Sequence, residues 1–214
     1  MNRPNHKLFQ RKARYVMSKI PKRLLLAISM CCLVATAHAA PIDDAGAAID
    51  RGDYAQAFKI YRTLAVQGDV TAQGLLGLLY EQGQGVTRDY KEAMKWFRLA
   101  AAQGYAAAQS GIGNHYQFGW GVIQDYQEAL KWYRLAAAQG LARGQVLLGL
   151  MYYKGKGVTQ DFVPAHMWVN IAGREGDADI IKMRDSIASQ MTSQQIEKAQ
   201  DMARKCQARS FKGC

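Results

Sequence analysis

The sequence predicts an all-α protein, a solenoid of stacked antiparallel helix pairs, and three observations carry that prediction. The motif Gly-x-Gly-Val occurs at 83–86, 119–122 and 155–158, each copy 36 residues after the one before. The same step relates Tyr80, Tyr116 and Tyr152, then Asp89, Asp125 and Asp161, then Trp96, Trp132 and Trp168. Between these fixed points the apolar residues fall at three-and-four spacing, the period of a helix that buries one face. Two helical stretches per period make a repeat array, in which no unit buries its apolar face alone.

Each unit opens with a first helix, near 70–82 in the first copy, where Ala72, Leu75, Leu76, Leu79 and Tyr80 form the apolar face. Gly77, Gly113 and Gly149 sit inside these helices, where each costs about 1 kcal/mol relative to Ala. Close approach of a neighbouring helix is the expected compensation. The Gly-x-Gly-Val turn then stops the helix, because glycine alone takes positive φ freely. The second helix starts at an Asp. Asp89 with Glu92, and Asp125 with Glu128, read as capping boxes. Asp53 with Gln56 has the same logic and implies a half-repeat before the first full one. Asp161 lacks the Glu but has Pro164 in the first turn, where a missing N–H is harmless. Ala93, Trp96, Phe97, Ala100 and Ala101 give the second helix its buried stripe, and Trp96, Trp132 and Trp168 are expected in the core between repeats. The divisions are 40–68 for a helical cap, then repeats at 69–104, 105–140 and 141–176, then capping helices and tail at 177–214. The last helix is expected near 193–208, capped by Thr192 or Ser193 with Gln195 answering.

The first 39 residues read as a secretory signal. Lys22 and Arg23 lead into the apolar run 24–34, and Ala37-His38-Ala39 supplies small residues for cleavage. That run is too short to span a bilayer, which takes about 20 residues. Met17 is the expected true start. Eight of the 28 Lys and Arg precede Ala40 and none of the 17 Asp and Glu does, which leaves 20 bases against 17 acids, a net +3. Such a charge is no nucleic-acid footprint. Cys31 and Cys32 leave with the signal. Cys206 and Cys214 remain, an even pair in an oxidising compartment, and are expected to form a disulfide that closes the tail onto the last helix.

The repeat resembles that of the Sel1-like family, a relative of the tetratricopeptide repeat. The residues that carry the likeness run Ala-Gln-x-x-Leu-Gly-x-x-Tyr-x-x-Gly-x-Gly-Val-x-x-Asp-x-x-x-Ala-x-x-Trp from Ala72 to Trp96. They return from Ala108 to Trp132 with Ile112 for Leu, and from Gly144 to Trp168 with Gly144 for the first Ala. The resemblance implies a right-handed superhelical solenoid and the work of a non-catalytic protein-binding adaptor, in bacteria often in the cell envelope. It implies as partner another envelope or secreted protein, held in the groove lined by the first helices. A modulator of a membrane sensor is the alternative within the same physics. A β-lactam or cell-wall peptide hydrolase is the alternative of another class. The family's cysteine-rich branch carries that association, and this chain has no cysteine between Cys32 and Cys206.

Nothing in the sequence assembles a catalytic or metal site. His115 has no Cys, Asp or Glu one turn away, and His166 lies beside Trp168 within a second helix, so both are expected as structural histidines. No cofactor, nucleic-acid partner or membrane span after signal cleavage is expected, and the chain is expected to be a monomer in the periplasm or secreted. The partner-binding face follows by spacing from the apolar one. It comprises Glu81 and Gln82 in the first repeat, Asn114, Gln117, Phe118 and Trp120 in the second, and Arg143, Tyr153 and Lys154 in the third. Phe118, Trp120 and Tyr153 are the expected anchors, since exposed aromatics and Arg dominate interfaces. Phe118 and Trp120 could equally pack on the neighbouring turn.

Overall fold

The computed structural model describes residues 42–214, so the signal-like segment and the start at Met17 lie outside the described residues. The described chain is helical throughout, with no strand among the described residues. A short helix α1 (42–50) and α2 (Tyr54–Val66) form the cap. Three pairs follow: α3 (Val70–Gln82) with α4 (Tyr90–Ala102), α5 (Ala106–Phe118) with α6 (Tyr126–Ala138), and α7 (Ala142–Lys154) with α8 (Phe162–Ala172). A 3₁₀ turn, Gly173–Glu175, leads to α9 (Ala178–Ala188) and α10 (Ser193–Ala208), both packed on α8.

The core lies between units. Tyr61 and Leu64 of α2 pack with Ala72, Leu76 and Leu79 of α3. One step along, Phe97 and Ala100 of α4 pack with Ala108 and Ile112 of α5, and Leu130 and Tyr133 of α6 pack with Leu148 and Met151 of α7. Fully burying a side chain such as Leu76 or Ile112 contributes about 1.5–3 kcal/mol, and here the contribution exists only when two units meet. Trp96 and Trp132 pack against the cluster of the preceding unit, and Trp168 is buried in the last one.

Inside each unit the helices approach at the glycines. A Cβ on Gly77 would come 2.7 Å from the Phe97 ring, one on Gly113 2.4 Å from the Tyr133 ring, and one on Gly149 2.8 Å from Val169 Cγ2. The Gly-x-Gly turns are equally tight. A Cβ on Gly85 would meet the Tyr54 carbonyl oxygen at 2.1 Å, and one on Gly157 the Tyr126 carbonyl oxygen at 2.4 Å. The turn of one unit therefore sits on the start of the previous unit's second helix. Both turn glycines also have φ near +70°.

The Asp caps form, but the expected capping boxes at Asp89 and Asp125 form only by half. Asp89 Oδ1 accepts from the Lys91 and Glu92 amides, and Asp125 Oδ1 from those of Gln127 and Glu128. The returning Glu bond is missing because its donor is already engaged. The Asp89 and Asp125 amides donate to the Tyr80 and Tyr116 carbonyls at 3.0 and 2.9 Å. Glu92 and Glu128 turn instead to Lys95 and Lys131. The full box appears at α10, where Thr192 and Gln195 cap each other.

A disulfide joins Cys206 to Cys214, with Cα atoms 5.6 Å apart. It folds the tail back, so that Phe211 packs into the last core cluster and its ring stands 3.0 Å from where a Cβ on Gly140 would be. Ser210 and Phe211 take positive φ to make that bend, a conformation that non-glycine residues hold only when surroundings impose it.

Candidate functional site

First helices touch across units, α3 on α5 and α5 on α7, so these helices line a common groove. A pocket of about 90 Å³ opens on it. The walls are low because the residues are small: Gly74 on α3, and Ala107, Ala108 and Gly111 on α5. Leu75, Leu78 and Phe97 make it apolar, while Glu81, Asn114 and Arg143 bring polar groups to it.

The residues that the spacing rule assigns to the partner-binding face differ in exposure. Gln82, Phe118, Arg143 and Lys154 are exposed, Phe118 to 50%. Asn114 is not free for a partner: it is only 6% exposed, and its Oδ1 accepts from the Tyr133 hydroxyl at 2.7 Å. Gln117 Oε1 lies 3.0 Å from the same hydroxyl. Burial pushes the Tyr133 phenol well above its ordinary range, with the charge of Arg143 opposing. Tyr153 is half-buried under the C-terminal cap, beside Phe162, and its hydroxyl accepts from Gln190 Nε2 at 2.9 Å. The cap thus covers the third repeat's aromatic, which the spacing within one repeat could not foresee.

Trp120 packs on the start of the preceding unit's second helix. Its ring stacks on Tyr90 at 5.4 Å and 9°, and on Phe118 at 4.9 Å and 25°. The Arg88 guanidinium lies 5.3 Å over the Tyr90 ring. In the next unit Lys156 takes the place of Trp120 and lies 4.9 Å over Tyr126. In the second and third repeats the middle position of Gly-x-Gly therefore covers the preceding unit's aromatic, and in the second the covering residue is itself aromatic.

Sequence reasoning missed the partner of His115. The ring is fully buried, with Nδ1 2.8 Å from the Trp120 carbonyl oxygen and Nε2 3.0 Å from Glu81 Oε2. Glu81 stands 34 residues earlier in the preceding repeat, not one turn away. The signal was present: His115 occupies the place of Leu79 and Met151, and a polar group at a core position needs a partner. Both ring nitrogens are engaged and the ring is closed to solvent, an arrangement that joins helices rather than one open to a reactant. His166 is also buried, its Nδ1 without a partner, and burial, then the Arg184 charge, lowers its pKa, with Asp185 opposing. The repeat's recurrent Gln is likewise structural. Gln103 Nε2 donates to Gln73 Oε1, and Gln139 Nε2 to Gln109 Oε1, both at 2.8 Å.

The sequence pattern of the Sel1 repeat matches residues 70–105, 106–141 and 142–177, half of the chain. The chain belongs to the Sel1 repeat family. Two solved structures are similar to it. One is a protective antigen of uropathogenic Escherichia coli strains with an SLR fold, at 36% identity and TM-score 0.67 over 73% of this chain. The other is a Sel1 repeat protein from Oxalobacter formigenes, at 32% identity and TM-score 0.59 over 65% of this chain. The chain spans 34% and 57% of the length of those two proteins. No curated protein matches the sequence. Sel1 repeats typically mediate protein–protein interaction and are generally non-catalytic adaptors. Among the described residues no helix is long and apolar enough to cross a membrane, and no cluster of metal-ligating side chains occurs.

Proposed function

We propose that this Sel1 repeat protein is a non-catalytic adaptor of the bacterial cell envelope, holding a segment of a partner protein in the groove of its first helices. The observation that carries the reading is the groove pocket itself. Small residues from two repeats open an apolar recess, and exposed Phe118 and Arg143 stand on the same run of first helices. An apolar recess with a few convergent polar groups is what a docked helix or extended peptide uses. The signal-like segment and the disulfide support an oxidising compartment outside the cytoplasm. Similarity to a protective antigen accords with that placement.

The test is crosslinking in intact cells, comparing wild type with a Phe118→Ala, Arg143→Ala, Lys154→Ala variant. These three side chains are exposed, so the variant should keep its helicity. A partner captured by wild type and lost by the variant supports adaptor and groove together. Unchanged capture would move the site off the groove, and no specific capture by either would count against the adaptor reading.

A further inference from the structure

We infer that the segment this groove receives presents a carboxylate next to a small aliphatic side chain; the inference rests on the groove reading above. Size decides the aliphatic part. The pocket of about 90 Å³ is smaller than the roughly 150 Å³ cavity that admits benzene. It suits a side chain of Val, Ile or Leu size better than an indole. Leu75, Leu78 and Phe97 supply apolar contact.

Charge decides the other part. Glu81 is already engaged, its Oε2 3.0 Å from Nε2 of the fully buried His115 ring and its side chain largely covered. Arg143 is the remaining charged residue there, exposed, with no ion pair or side-chain hydrogen bond among the described residues. A guanidinium so placed forks naturally onto a carboxylate.

The test is selection of a phage-displayed library of random heptapeptides on the purified protein. The same library is selected in parallel on Arg143→Glu and on Ala107→Phe. Ala107 is exposed at the pocket mouth, so Phe fills the recess without disturbing the core, and circular dichroism checks both folds. Wild type should enrich peptides with Asp or Glu within two residues of Val, Ile or Leu. The best of these, made synthetically, should bind Arg143→Glu about tenfold more weakly, as loss of one attraction and gain of one repulsion predict. Binding to wild type should also weaken with added salt. Enriched peptides without acidic residues, or affinity unchanged in Arg143→Glu, would overturn the inference. The groove reading would survive that result if Ala107→Phe still abolished binding. Peptides that bind Ala107→Phe as well as wild type would overturn the groove reading itself, and no enrichment on wild type would overturn both.

Discussion

Gly113 offers the sharpest test of how the helix pairs are held together. An added Cβ would lie 2.4 and 2.6 Å from two carbons of the Tyr133 ring, where carbon atoms at rest stand about 3.5–4.0 Å apart. The ring cannot swing aside freely, because Tyr133 is fully buried and its hydroxyl donates to Asn114. Three terms set the size of the effect of Gly113→Ala. Alanine gains about 1 kcal/mol in helix propensity. Overpacking a tight core costs about 1–3 kcal/mol. Displacing the ring leaves buried polar groups without partners, at about 1–3 kcal/mol more. The net is a loss near 3 kcal/mol, taken from the middle of those ranges. Gly46→Ala is the control, since α1 has no atom within 4 Å of an added Cβ there; it should gain about 0.5–1 kcal/mol. Urea unfolding followed by circular dichroism and by tryptophan fluorescence reads both variants. If Gly113→Ala is stabilised like Gly46→Ala, the close approach is not what holds this pair, and the account of all three helix glycines falls with it.

Further outcomes follow from the caps, the disulfide and a buried histidine. Asp125→Ala removes a cap that two amides use and should cost about 1 kcal/mol. Glu128→Ala should leave the urea midpoint where it was, because the cap's own amide is held by Tyr116; equal losses would revive the reciprocal box. Cys214→Ser opens a short loop that stabilises by about 2–3 kcal/mol in the chain-entropy picture. Its hydrogen exchange should quicken around Phe211 and not around Tyr133, and a uniform change would refute local action. His166 has its pKa lowered by burial and by Arg184, with Asp185 opposing, so the unfolded chain binds the proton first as pH falls below about 6.5. Stability should therefore drop on acidification through that value until the folded ring titrates too. Wild type should lose more than His166→Asn between about pH 7.5 and pH 5.5, and equal losses would refute the shift.

The fold was legible because the period aligns the chain with itself. A helix start at Asp89 means little alone, but its return at Asp125 and Asp161 fixes three starts at once. The groove was legible only in part, because a first helix inside a solenoid is covered from several directions. Helix α5 meets its own partner α6, the second helix α4 of the unit before, and the first helices α3 and α7 on either side. The arc left to solvent is narrower than on a simple amphipathic helix, so Asn114, on the wrong side of that arc, is buried. Tyr153 was beyond the period altogether, since the cap that covers it is not a repeat.

The departures from the period carry the information that the period itself conceals. Where Leu78 and Leu150 stand, the second repeat has Asn114; where Phe97 and Val169 stand, it has Tyr133. Each change alone would leave a polar group stranded in the core, and together they make one hydrogen bond. His115 stands in a Leu or Met position and finds its answer in Glu81 of the unit before. In both cases the polar residue at a core position finds its partner in the same or the adjacent unit, whereas His166, in the place of Met94 and Leu130, keeps its Nδ1 without one. The pairs so found, Asn114 with Tyr133 and His115 with Glu81, meet at the groove pocket through Asn114 and Glu81. Differentiation of the second repeat and placement of the candidate site are therefore one feature: the units bury the same apolar stripe, and this one has exchanged part of it for polar groups beside the recess.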